Sequence, residues 1–452
     1  MRLSRKIDML NGSLWDKMVF FALPLAFTGI LQQLFNAADV MVLGRYVSDE
    51  AMAAVGNNVP VIGLIVNLVM GLALGANVVV ARALGMKDEE KAGRAVHTAF
   101  FVAVAFGVFA ALVGEASASW LLELLEVPSG VLADSESYLR VYLLGMPFIS
   151  VYNFLAAVFR SQGDTQTPLW ALVAATVFNI AGNLFFVLVC GMGGGGVALA
   201  TVLANVLAAG ILFVRESCMT GPLKLEFRRL LTPDAGELRA IIRIGWPAGL
   251  QGAVFSLSNL IIQAAINSLG ADAMAGSVAA FTIEINVYCF INAFGLAATT
   301  FVSQNYGAGN LPRCRRATWV AMGLNLVATF LMVVVVMAFA RELLGLFTTS
   351  AAVLEVAFIR ILWVVLFEPV SVIMETVSGA MRGYGYSMPP AMTTLICICS
   401  IRLVWVYTVF AADPTYQTLI IVYPVSWVVT TVALAALYFR HQKTLVAGRA
   451  AA

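Results

Sequence analysis

Asp39 stands near the end of an apolar run of more than twenty residues, in the stretch LFNAADVMVLG from Leu34 to Gly44. An ionised aspartate at the centre of a membrane helix costs roughly 2.5–3.5 kcal/mol, so a carboxylate there is a functional candidate. Partly desolvated, it can bind and release a proton or hold a hard cation. The second half of the chain has ionisable residues in comparable settings: Glu284, Glu368, Glu375 and Arg402. At 1.5 Å of rise per residue, Glu368 and Arg402 both lie about 18–20 Å from the same end of adjacent segments. That depth match predicts an ion pair, with Glu375 as the alternative acid. Glu284 has no evident cation at its depth and is a further functional candidate.

These residues need apolar helices to hold them. The chain of 452 residues is 61% hydrophobic and 12% charged, with a mean hydropathy of +0.90, which marks a polytopic membrane protein. At roughly 20 apolar residues per crossing, the runs between polar punctuation predict twelve spans. The first six are near 18–44, 53–80, 95–114, 138–159, 169–190 and 197–214. The second six are near 243–268, 275–302, 317–340, 357–380, 389–412 and 417–439. The first run is too long for a signal-peptide core and reads as a retained span. A net charge of +2 points to no nucleic-acid partner. The six cysteines form no CxxC pair and no cluster with histidine, so neither a disulfide frame nor a zinc site is expected.

Basic residues gather on one side of the predicted spans. The N-terminus, the 2–3, 6–7 and 8–9 loops and the C-terminus hold most of the 27. The other side has Arg45, Arg140, Arg341 and Arg360, while Arg402 lies within a span. By the positive-inside rule both termini should be cytoplasmic.

The halves repeat. FRSQGDTQTP (Phe159–Pro168) and MRGYGYSMPP (Met381–Pro390) share Arg, Gly and Pro at an offset of 222, which also carries Gly85 onto Gly307 and Arg94 onto Arg316. Six spans per half give both halves the same orientation, related by a pseudo-twofold axis along the membrane normal. The expected organisation is an N-lobe at 1–214, a basic, amphipathic linker along the membrane surface at 215–242, and a C-lobe at 243–452. Two such bundles imply a cleft and alternating access, which is a transporter's arrangement.

With these features the sequence resembles the multidrug and toxic-compound extrusion (MATE) family of cation-coupled exporters. The residues that carry the resemblance are PLAFTGILQQLFNAADVMVLGR in the first span, FVSQNYGAGNLPRCRRA after the eighth, and the paired RSQGDTQTP and RGYGYSMPP loops. It covers nearly the whole chain and implies an all-α fold of twelve helices in two six-helix lobes around a central cavity. It implies secondary active exchange of H⁺ or Na⁺ for amphiphilic, often cationic compounds. It also implies an N-lobe cation site at Asp39, Asn179, Asn183 and Thr201, with Gln32 among the cavity candidates.

Spacing is compatible with that set: Asn179 and Asn183 are four apart and share a helix face, and Asp39, Asn183 and Thr201 sit on the order of 10 Å or less from one end of their spans. Position 183 is often aspartate in related proteins. Asparagine there leaves one formal negative charge, which weighs against Na⁺ more than against a proton.

The expectation is therefore a non-enzymatic, monomeric exporter in a bacterial inner membrane, with no cofactor beyond its coupling ion. A lipid-linked saccharide flippase or a narrow metabolite exporter of the same superfamily is the alternative. Buried arginines suited to pyrophosphate are lacking apart from Arg402. An intramembrane enzyme would need a nucleophile–base pair or a HExxH motif, and neither is present.

Overall fold

The computed structural model describes residues 6–450 apart from positions 126, 222 and 231, and every described element is helical. The first half contains α1 (Trp15–Tyr46), α2 (Asp49–Gly85), α3 (Glu89–Leu124), α4 (Ser129–Leu144), α5 (Met146–Ser161), α6 (Gln166–Leu184) and α7 (Gly193–Ser217). The second contains α8 (Ala235–Ser268), α9 (Ala271–Gly307), α10 (Leu311–Ala338), α11 (Ala340–Gly345), α12 (Ala351–Val364), α13 (Glu368–Gly383), α14 (Met388–Trp405), α15 (Tyr416–Ile420) and α16 (Val422–Ala450).

Local chemistry sets several boundaries. Asp88 caps α3 by accepting from the Lys91 amide at 2.9 Å, with Glu89 and Glu90 in the dipole-favoured first turn. Asn310 caps α10 in the same way, accepting from the Arg313 amide at 3.0 Å.

Among the described residues eleven spans are long and apolar enough to cross a membrane, and a bent pair brings the number to twelve. That pair is α4 and α5, which meet at 48°. The sequence predicts one span over 138–159. Gly145 and Pro147 break it, because proline has no N–H to donate and its ring clashes with the preceding turn.

The helices form two compact units. One comprises residues up to Leu10, Phe27–Ala253 and Gly307–Gly309; the other comprises Asn11–Ala26, Val254–Tyr306 and residues from Asn310 onward. Both α1 and α8 are thus divided between units. In the first unit α3 packs on α5 and α2, and α6 on α7, around small residues such as Ala76, Ala99 and Ala103 and the rings of Phe154 and Phe159. The start of α8 crosses α2 where GLALG (71–75) meets GWPAG (245–249). A Cβ at Gly71 would overlap the Gly249 backbone, and one at Gly75 the Ile241 carbonyl. This is the close backbone approach that small-xxx-small spacing permits.

In the second unit α9 lies against α13. Thr299 Oγ1 donates to Gly379 O at 2.9 Å and Ser303 Oγ to Gly383 O at 3.2 Å. The first turns of α1 join this unit through Phe21, whose ring meets that of Phe301 edge-on at 5.5 Å.

In the connection between Ser217 and Ala235 the described residues form a 3₁₀ turn at Phe227–Arg229. It docks on α3. His97 accepts from the Glu226 amide through Nε2 at 3.0 Å while its Nδ1 faces Gly93 O at 2.7 Å, which requires the neutral ring protonated on Nδ1. Thr98 Oγ1 accepts from the Asp234 amide at 3.0 Å. α8 consequently starts at Ala235, eight residues before the predicted span.

Candidate cation site

Asp39 lies two turns before the end of α1 and is 4% exposed. Its Oδ1 accepts from Asn183 Nδ2 at 2.6 Å and its Oδ2 from Thr201 Oγ1 at 2.8 Å. Asn179 closes the network: its Nδ2 donates to Thr201 Oγ1 at 3.2 Å and its Oδ1 accepts from Asn183 Nδ2 at 3.3 Å. All four side chains are buried and belong to one unit, from α1, α6 and α7. The four-residue spacing on α6 stacks the two asparagines on one face, and the packing of α6 on α7 brings Thr201 to them. Asn183 Oδ1 is buried and accepts no hydrogen bond among the described residues.

Directly after Asn183 the α-helix loosens into a π-helical turn, Phe185–Val189. Such turns are frequent at functional positions. A second, Val406–Phe410, follows α14 at the equivalent place in the repeat, just after Arg402.

Two aromatic residues that sequence reasoning missed complete the surroundings. Tyr138 and Tyr142 lie near enough to Asp39 to feel its charge, and their rings stack 6.2 Å apart. A span predicted to begin at 138 puts both near its end, whereas α4 begins at Ser129 and holds both well inside it. Gln32 lies two turns before Asp39 on the same face of α1, half-buried, and makes no hydrogen bond among the described residues.

The charges of the second unit are arranged differently from the depth arithmetic. Glu284 has a partner: its Oε2 accepts from Arg360 Nε at 2.9 Å, and the two side chains are 11% and 6% exposed. A span predicted to begin near 357 puts Arg360 at its outer end. α12 begins at Ala351, which buries Arg360 nine residues into the helix. Arg402 pairs with neither Glu368 nor Glu375. Its Nη1 donates to Asn259 Oδ1 at 2.6 Å, and its guanidinium lies over Phe255 at 5.0 Å and Tyr423 at 4.5 Å. Arg360 also lies 5.5 Å from the Tyr423 ring. Cation–π contacts of this kind gain strength when desolvated. Glu368 is 2% exposed and accepts from Ser371 Oγ at 2.7 Å. Glu375 is half-buried, with Tyr288 and Arg382 near it. Helical depth constrains only one coordinate; rotation about the helix axis decides which side chains meet.

The MatE family profile matches residues 24–185 and 247–408, once in each half. The chain belongs to the MatE family. This MatE protein is 28% identical over 400 residues to the probable multidrug resistance protein YoeA of Bacillus subtilis, covering 86% of each chain. It is also 28% identical to the probable multidrug resistance protein NorM of Thermotoga maritima, covering 86% of this chain and 84% of that one. Among solved structures, one described as the crystal structure of a MATE P26A mutant superposes with a TM-score of 0.90 at 21% identity, covering 98% of this chain and 99% of that chain. The protein is therefore a multi-pass integral membrane transporter with the duplicated, all-helical MATE fold.

Proposed function

We propose that this MatE protein is a proton-coupled multidrug exporter of amphiphilic, often cationic compounds, working by antiport. In this reading Asp39 is the proton-binding group and Asn179, Asn183 and Thr201 its supports. The observation that carries it is the donor pattern around Asp39: both carboxylate oxygens already accept hydrogen bonds, from an amide and a hydroxyl. A Na⁺ ion would need several inward-facing oxygens, and the asparagine that replaces a second carboxylate presents its NH₂ instead. A protonated Asp39 needs an acceptor, and the unfilled Oδ1 of Asn183 becomes one after a half-turn of its amide.

Protonation would then exchange one closed hydrogen-bond pattern for another, with Asn179 and Thr201 following. α1 carries both Asp39 and Pro24, and the turn weakened by the proline is where the change would be transmitted. For antiport, the protonated and ionised states must favour opposite facing states; equal preference would drive nothing. One proton moving down 100 mV supplies about 2.3 kcal/mol, enough for a roughly 50-fold gradient of an uncharged drug; a monovalent cationic drug exchanged one for one moves no net charge and draws on the pH gradient alone. The relatives named for multidrug resistance support the substrate class. A bacterial inner membrane with both termini cytoplasmic and a monomeric working unit complete the proposal.

The test is ethidium efflux from proteoliposomes holding the purified protein, under a pH gradient or a Na⁺ gradient imposed separately. Efflux driven by the pH gradient alone is expected. Efflux driven by Na⁺ alone would overturn the ion assignment, and none under either gradient would favour a narrower cargo.

A further inference from the structure

α10 begins against its own dipole. Arg313, Arg315 and Arg316 occupy its first two turns, where positive charge is disfavoured, and no acid is present there. Arg313 is engaged by the Asn11 and Gly12 carbonyls, both at 3.0 Å. Arg315 is instead held from α16: its Nε donates to Gln442 Oε1 at 2.9 Å and its Nη2 approaches Gln442 O at 3.5 Å. Lys443 is the next residue on α16. Neither Arg315 nor Lys443 has a carboxylate partner among the described residues.

Beside these two cations, α10 and α16 leave a cleft of ≈ 490 Å³. Its walls include Trp319, Tyr438, Phe439 and Val446. Trp319 and Phe439 are each 52% exposed, and each lies one turn deeper in its helix than Arg315 or Lys443. The cleft is thus cationic toward the helix ends and aromatic toward the membrane-spanning part, with a volume in the range of ligand sites.

We infer that this cleft binds an anionic phospholipid, its phosphate between Arg315 and Lys443 and the upper acyl chain against Trp319 and Phe439. Charge complementarity selects an anion, since two cations without a carboxylate partner line the cleft. The aromatic wall selects a lipid over a free anion, because inorganic phosphate has no use for it. A tryptophan at this level is also the usual interfacial anchor. The Gln442 contacts fix the Arg315 guanidinium in advance, which lowers the ordering entropy of binding. Basic pockets between transmembrane helices are suited to such headgroups.

Native mass spectrometry of the full-length protein in dodecyl maltoside, titrated with dioleoylphosphatidylglycerol or dioleoylphosphatidylcholine, tests this. The phosphatidylglycerol adduct is expected to persist and the phosphatidylcholine adduct to be lost. Arg315→Gln with Lys443→Gln should weaken the adduct on the order of 30-fold, or about fivefold per cation. Arg440→Gln, which removes an exposed charge from the same helix outside the cleft, should leave it unchanged. Because Arg315 also ties α10 to α16, Lys443→Gln alone supplies the fivefold test if the double variant does not fold. Equal retention of both lipids would overturn the proposal, as would equal loss in Arg440→Gln. A phosphate adduct formed from inorganic phosphate alone and removed by Lys443→Gln would replace the lipid with a free anion.

Discussion

Replacing Asp39 by asparagine separates the proton-binding role of this side chain from its structural one. The native carboxylate accepts two hydrogen bonds, from Asn183 at 2.6 Å and Thr201 at 2.8 Å. Hydrogen bonds to a charged group contribute about 1.5–3 kcal/mol each, against about 0.5–1.5 for neutral pairs. With the Asn183 amide turned so that its free Oδ1 accepts from the new NH₂, two neutral bonds replace two charged ones and forfeit about 2–3 kcal/mol. The substitution also removes the cost of a buried charge, roughly 2.5–3.5 kcal/mol on insertion scales. These terms nearly cancel, and asparagine fills the same volume. Asp39→Asn should thus unfold in detergent within about 1 kcal/mol of the parent. It has no titratable group at this position, so gradient-driven ethidium efflux in proteoliposomes should fall to the passive leak. The informative result is the combination of native stability with lost coupling. Driven efflux at the parent rate would refute the assignment and move the search to Glu284 and Glu375. Gross destabilisation would show instead that the charge holds the lobe together.

Asn183→Asp should convert the site toward a metal ion: a second carboxylate beside Asp39 is expected to make Na⁺ raise the melting temperature of the variant while leaving the parent unmoved. Stabilisation of the parent by Na⁺ but not K⁺ would contradict the proton assignment. Glu284→Gln leaves Arg360 buried without a counter-charge, and loss of one partner of a buried pair costs about 3–5 kcal/mol; the double change Glu284→Gln/Arg360→Met should recover most of it. A single variant as stable as the parent in detergent unfolding would remove the structural role given to this pair. Gly71→Ala drives a methyl group into the Gly249 backbone, which cannot rotate aside, so a loss of about 1–3 kcal/mol or failure to accumulate in the membrane is expected. Gly63→Ala on the same helix meets open space and serves as the neutral control; equal behaviour of the two would mean that the α2–α8 crossing tolerates separation.

Two kinds of information about this protein differ in where they reside. Hydropathy and the duplicated Arg–Gly–Pro loops determine that the chain is a membrane protein built from two related halves, because apolar length and chain order are properties of sequence alone. Asp39 was conspicuous for the same reason, as a charge in an apolar run. The polar company of Asp39 was reachable through resemblance and depth, and helix packing then brought Asn179, Asn183 and Thr201 within hydrogen-bonding reach.

The second half was less legible. Glu284 meets Arg360, while Arg402 turns to Asn259 and Tyr423, because partner choice depends on how far each helix extends and how it is rotated. Hydropathy places a span end only to within several residues, so Arg360, nine residues into α12, was read as an end residue. The break at Gly145 and Pro147 and the division of α1 and α8 between the two units are likewise tertiary outcomes. A helix of more than thirty residues has faces enough to pack with different neighbours along its length, and only the packed fold decides which neighbour each part keeps.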